Sequence, residues 1–231
     1  FPSGRHSLVD AGSAKHGEIS LKDAFTKSCN ITFGSLALKM GDEALKNTAA
    51  QFGVGDYFLF KDFVVENSIY PTKNRSASEI AWTGVGQSAL QISPLHMCMV
   101  ASSVANKGIM MEPQLLLRSV NSNKEVRSQF APKIYKQPLS EEHANIIKEY
   151  MYSVVQKGTG SAASVPREKI CGKTGSAEID GQNETNSWFV GFSDEPNYPY
   201  AVCVVVMDAG GGGSVAAPVA GKIFKAIFGQ I

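Results

Sequence analysis

No stretch of this 231-residue chain approaches the roughly 20 apolar residues needed to cross a bilayer. The longest, Tyr200 to Met207, has eight. A surplus of either charge is missing too. Lys and Arg number 22 and Asp and Glu 21, for a formal net charge of +1. That excludes the electrostatic footprint of a non-specific nucleic-acid binder. No Cys-x-x-Cys pair occurs among Cys29, Cys98, Cys171 and Cys203, and His6, His16, His96 and His143 show no ligand spacing. Neither a metal site nor a cofactor is therefore expected, and the cysteines read as free thiols. His96, on an apolar helix, reads as a hydrogen-bonded core histidine. No secretory leader is visible in these residues. Phe1-Pro2-Ser3-Gly4-Arg5 reads as the interior of something longer, so any membrane anchor is expected outside this chain.

What is present suits a folded domain: 43% hydrophobic and 19% charged residues, in a chain long enough to bury a core without staples. Ser20 offers a helix N-cap with Asp23 three residues on, and Leu21, Ala24, Phe25, Phe33, Leu36, Ala37 and Met40 keep a helical period. The polar stretch Thr26 to Asn30 divides that period in two. A further helix runs from Asp42 to about Phe52. Residues 54–92 read as irregular, with Tyr57 to Val65 either a lid or a packed segment. Ser93-Pro94 starts a helix that reaches Asn106, and Ser140 caps another that Gly158 stops. Gln114 to Val120 reads as a short strand.

After that the texture changes. Lys169 to Glu178, Ser187 to Phe192 and Tyr200 to Asp208 read as three antiparallel strands, and Ala216 to Phe228 as a closing helix. The fold class is α+β. Gly210 to Gly213, just before that helix, reads as a flexible turn.

Two short motifs carry polar chemistry. Lys173-Thr174-Gly175-Ser176 lies inside a predicted strand, where glycine often marks close backbone approach by a ligand. An edge-strand lysine beside a bulge is the plainer alternative. Ser28-Cys29-Asn30 sits between two helical stretches, where helix capping would explain both polar residues. Together they are the second and third elements of the Ser-x-x-Lys, Ser-x-Asn and Lys-Thr-Gly signature of penicillin-binding proteins and class A β-lactamases. Asn30 and Lys173 stand 143 residues apart.

Several surrounding segments share that likeness: Ser20 to Phe25, Gly86-Gln87-Ser88, Ile92 to Leu95, Ala105 to Gly108, Glu112-Pro113, Gly158 to Ala162, Gly172 to Glu178 and Trp188 to Phe192. On these the whole chain resembles the transpeptidase domain of class B penicillin-binding proteins. The resemblance implies a penicillin-binding transpeptidase or serine β-lactamase-like fold, one domain over residues 1–231. Residues 18–160 or so would form a mostly helical lobe, and about 165–231 the β-β-β-α part of a partial antiparallel sheet. It implies a D,D-transpeptidase that cross-links peptidoglycan stem peptides by serine acyl transfer, on the outer face of the bacterial membrane.

No Ser or Thr in the chain is followed three residues later by Lys. The acylated serine and its lysine are thus expected before Phe1, and the chain alone is expected to be inactive. The family's first two strands are expected there as well. That would leave the Lys173 strand an open edge, to be covered by the N-terminal portion of the same domain or by a second copy.

By the same resemblance Ser28 stands in the proton relay to the leaving amine, and Asn30 holds the missing lysine and the substrate amide. Lys173 and Thr174 meet the terminal carboxylate of a D-Ala-D-Ala stem or of a β-lactam. Gly175 leaves room for an extended substrate to pair with the strand, and the Ser176 N–H gives one oxyanion donor. The alternatives are a non-catalytic module that binds stem peptides or β-lactams, and a β-lactamase or β-lactam sensor on the same fold.

Overall fold

The structure, a computed structural model, describes residues 8–60, 62, 64–71, 75–179 and 185–230. Five helices come first: α1 (Leu21–Lys27), α2 (Asn30–Met40), α3 (Asp42–Gln51), α4 (Ala77–Gly84) and α5 (Pro94–Ala105). Two small antiparallel pairs follow, β1 (Met110–Met111) with β4 (Ile134–Lys136) and β2 (Arg118–Val120) with β3 (Val126–Gln129). Then come α6 (Glu141–Lys157), β5 (Ile170–Ala177), β6 (Asn186–Ser193), β7 (Ala201–Val206) and α7 (Ala216–Ile227).

Serine starts four of the helices. Ser20, Ser76, Ser93 and Ser140 each accept a hydrogen bond from the backbone N–H three residues on, in front of α1, α4, α5 and α6. Each such cap satisfies an amide that has no partner within the helix and adds about 1 kcal/mol.

Strands β5, β6 and β7 form one antiparallel sheet in that order. Its alternation buries both faces. Ile170, Phe189 and Val204 meet Ala217, Ala220 and Phe224 of α7. Cys171, Val190 and Phe192 meet Ala101 and Val104 of α5 and Met151 of α6. Fully burying Phe189, Phe192 and Phe224 contributes roughly 2–3 kcal/mol each. Gly172 is required at its place because a Cβ there would lie 2.3 Å from the Phe189 ring. Helix α6 packs along β5, whose Ile170 to Gly172 are buried. The less covered outer strand is therefore β7, five of whose six residues are only half-buried, rather than the Lys173 strand.

Two readings of the sequence are corrected. Residues 54–92 are not all irregular: α4 forms there on a capping box between Ser76 and Glu79. The strand expected over Gln114 to Val120 shrinks to β2, which turns back on β3, and both are fully exposed. In the Tyr57 to Val65 segment, Phe58 and Phe60 are buried with Met99 and Met110, while Tyr57, Leu59 and Val64 are exposed. Lys61 and Phe63 of that segment lie outside the described residues. His96 is fully buried, with Ser68 Oγ and Phe52 O each 2.7 Å from a ring nitrogen.

Candidate active site

The site begins where α1 ends. Ser28 takes a left-handed conformation, φ 57° and ψ 49°. Its N–H donates to Phe25 O at 3.2 Å, and the Cys29 N–H donates to Ala24 O at 2.9 Å. These two bonds are the Schellman pattern, which normally ends a helix on glycine. A serine there gives up about 1 kcal/mol to the close approach of its Cβ and backbone. Ala24 and Cys29, the two residues that the second bond joins, are both buried. The sequence shows only the break in helical period, because no glycine marks the stop.

The backbone turn directs the Ser28 side chain at β5. Lys173 Nζ donates to Ser28 Oγ at 2.8 Å and to Thr174 O at 2.9 Å. The Phe25 ring stands 5.8 Å from that nitrogen. The residue as a whole is half-buried, but its nitrogen is enclosed by protein, and burial pushes the ammonium pKa down to about 8. The group thus stays mostly charged at neutral pH and gives up its proton far more readily than an exposed lysine.

Helix α6 fixes α1 relative to this strand. Thr26 Oγ1 donates to Lys22 O at 2.7 Å and shares a 2.9 Å hydrogen bond with Ser153 Oγ, whose hydroxyl is the donor there. A Cβ on Gly158 would lie 2.3 Å from Thr26 O, so α1 and the end of α6 touch backbone to backbone.

On the opposite face of β5, Thr174 Oγ1 and Thr159 Oγ1 share a hydrogen bond of 2.5 Å. Ser176 is held at two points: Gly212 N–H donates to its Oγ at 3.0 Å, and Gln87 Nε2 donates to its carbonyl at 2.8 Å. Within the 210–213 glycines, Gly212 and Gly213 are packed against backbone. A Cβ on Gly212 would lie 2.4 Å from Gly175 O and 2.5 Å from Trp188 O. Beyond Ser176, a cleft of about 680 Å³ opens between Trp82, Gln87, Ala177 and Trp188. Ser28, Lys173, Thr174, Gly175 and Ser176 are thus brought to one region.

Asn30 makes other contacts. Its carboxamide donates to Val9 O at 2.9 Å, and its backbone N–H to Asp10 Oδ1 at 2.5 Å. Asp10 is buried, and Oδ2 of the same carboxylate lies 3.0 Å from His16 Nδ1 and accepts from Cys29 Sγ at 3.4 Å. Asp10, His16 and Cys29 thus converge in space, a grouping that no spacing in the sequence shows. Sequence reading also gave no role to Phe25, Thr159 or Gln87. Their signal lies in the runs Ser20 to Phe25, Gly158 to Ala162 and Gly86-Gln87-Ser88, which share the family likeness.

Residues 6–225 match the family described as "Penicillin binding protein transpeptidase domain". The chain is 29% identical to the peptidoglycan D,D-transpeptidase PbpA of Mycolicibacterium smegmatis over 95% of its own length and 46% of that protein. It is 30% identical to stage V sporulation protein D of Bacillus subtilis, over 95% of its length and 36% of that protein. Among solved structures it resembles penicillin-binding protein A of M. tuberculosis in an imipenem acyl-enzyme complex. The TM-score there is 0.84 at 26% identity, covering 97% of this chain and 52% of that one. The chain spans about half the length, or less, of the curated relatives it matches.

Proposed function

Because the chain belongs to the penicillin-binding protein transpeptidase domain family, in its class B branch, we propose that this region is one wall of a serine acyl-transfer site that cross-links peptidoglycan stem peptides. The observation that carries the reading is the 2.8 Å hydrogen bond from Lys173 Nζ to Ser28 Oγ, between residues 145 apart. It couples a hydroxyl on a strained turn to a lysine whose proton burial has loosened. Such a pair passes a proton to a departing amine.

In this reading Lys173 and the Thr174 hydroxyl receive the terminal carboxylate of a D-Ala-D-Ala stem or of a β-lactam. The extended substrate pairs with β5 at Gly175, and the Ser176 N–H donates to the developing oxyanion. Asn30 takes the substrate amide once its carboxamide leaves Val9. The 231 residues hold no Ser-x-x-Lys, so the acylated serine and its lysine come from outside them. The protein acts at the outer face of the membrane.

The test is gel labelling of the intact protein with a fluorescent penicillin. Labelling is expected, falling at least about 100-fold in Ser28→Ala, while the 231-residue chain alone stays dark. An intact protein that never labels, but still binds stem peptide, would turn the reading into that of a binding module. Labelling of the isolated chain would overturn the assignment of its serine. Fast turnover of the label would identify a β-lactamase instead.

A further inference from the structure

The geometry points to Gln87 as a gate on the substrate edge of β5: its carboxamide holds the Ser176 carbonyl, which an extended substrate needs for its own amide N–H. The inference rests on the transpeptidase reading above and adds to it a residue that selects among substrates.

Strand geometry identifies the edge. The N–H and C=O of one strand residue share an edge, and successive residues alternate between the two edges. Just before β5, Lys169 O accepts from the Asp194 N–H at 2.8 Å. Odd-numbered residues of the strand therefore face β6, and Thr174 and Ser176 face away from it. Their carbonyls meet side chains instead of a strand. Lys173 Nζ donates to Thr174 O at 2.9 Å, and Gln87 Nε2 donates to Ser176 O at 2.8 Å.

That edge is the one the substrate uses. In the transpeptidase reading the Ser176 N–H donates to the oxyanion that develops from the scissile carbonyl. A chain pairing antiparallel with β5 exchanges both hydrogen bonds with a single residue. The substrate residue whose carbonyl meets the Ser176 N–H therefore offers its own N–H to Ser176 O, the atom on which Gln87 sits.

Only the Gln87 side chain has to move. Helix α4 ends on Gly86: the Gly86 N–H donates to Thr83 O and the Gln87 N–H to Trp82 O, each at 2.9 Å, in a Schellman pattern. Gly86 and Ser88 are both left-handed, at φ 88° and 68°, a conformation uncommon for serine. The backbone at Gln87 is thus pinned from both sides. Gln87 is half-buried and Ser176 exposed, and the cleft of about 680 Å³ that Gln87 borders gives its carboxamide room to swing. The Gly212 N–H on Ser176 Oγ at 3.0 Å holds Ser176 in place when Gln87 leaves.

Such a gate discriminates. A ligand with an amide N–H beside its reactive carbonyl replaces the bond that it breaks. A ligand without one gains nothing from displacing Gln87.

The experiment measures second-order acylation rate constants of the intact protein, by competition against a fluorescent penicillin on gels. Two ligands are compared: penicillin G, which carries an acylamino N–H, and penicillanic acid, the same fused ring with hydrogen in that place. Gln87→Met keeps the length of the side chain and removes its donor. Acylation by penicillin G should rise about fivefold in this variant, while that by penicillanic acid changes less than about twofold. Gln87→Leu should act alike, because the lost donor and not the new shape is the cause. Melting temperatures close to the parent's would show that both variants fold. An equal gain with both ligands overturns the gate and leaves only a wider cleft. No change, or a loss with penicillin G, also overturns it, the loss by making Gln87 a support of β5. A parent that labels without this selectivity in its variants ends the inference alone. A parent that neither ligand acylates ends the transpeptidase reading, and the inference with it.

Discussion

Replacing Lys173 with methionine separates what the site does from what it costs. Burial pushes the lysine from its ordinary 10.5 down to about 8. At about 1.4 kcal/mol per unit, holding its charge inside the fold costs about 3 kcal/mol at pH 7. Methionine is of similar length and carries no charge, but it loses the hydrogen bonds to Ser28 Oγ and Thr174 O, worth about 1 kcal/mol each. The variant should therefore be about 1 kcal/mol more stable than the parent at pH 7.

The sign follows from proton binding. Below pH 8 the folded and unfolded chains both hold the proton, and the whole penalty is present. Between about 8 and 10.5 the folded chain has released it and the unfolded chain has not, so parent stability rises with pH. Most of the penalty has gone by pH 10, and the methionine variant should there be about 1 kcal/mol the less stable of the two. Urea denaturation of the intact proteins at the two pH values measures this crossing, and penicillin labelling of the same samples should fall at least about 100-fold. A stability difference that is flat across pH would refute the buried charge. Undiminished labelling would refute its role.

Other outcomes follow from contacts already described. Gly158→Ala places a Cβ against the Thr26 carbonyl and should cost about 1–3 kcal/mol in denaturant midpoint analysis; an unchanged midpoint refutes that close approach. Thr159→Val keeps the shape but removes the hydroxyl paired with Thr174. It should weaken β-lactam binding about tenfold and leave the acylation rate constant nearly intact. Equal binding would show that the pair does not serve the ligand. Burial holds the His96 pKa below its ordinary 6.5, so the unfolded chain gains a proton there first as pH falls. Thermal stability should drop between pH 6.5 and 5, with a shallower drop in His96→Gln; identical slopes would exclude His96 as the cause.

The helices with a serine cap, and the three strands with both faces apolar, were legible because local chemistry and burial agree there. Helix α4 carries its own start signal in Ser76 and Glu79, but it is short and set among glycines and polar residues that mask its period. Strands β2 and β3 are fully exposed, so no alternation of buried and solvated residues exists to be read. In the site, Lys173 to Ser176 announced themselves as a motif. The contacts of their partners did not. Thr159 and Gln87 meet β5 only through the folding of distant segments. Asp10, His16 and Cys29 come together where the chain before α1 meets the turn after it, which their spacing in the sequence does not reveal.

The left-handed turn at Ser28 also bears on how such a site would decay. Glycine is the residue that turn favours, and Ser28→Gly would relieve the strained backbone while deleting the hydroxyl that Lys173 touches. Stability and chemistry thus pull one codon in opposite directions. In a lineage that no longer needed the reaction, drift would carry residue 28 to glycine as a gain, with the rest of the fold undisturbed. A copy of this domain with glycine at 28 and lysine still at 173 would be the fossil of an abandoned activity, recognisable at a single position.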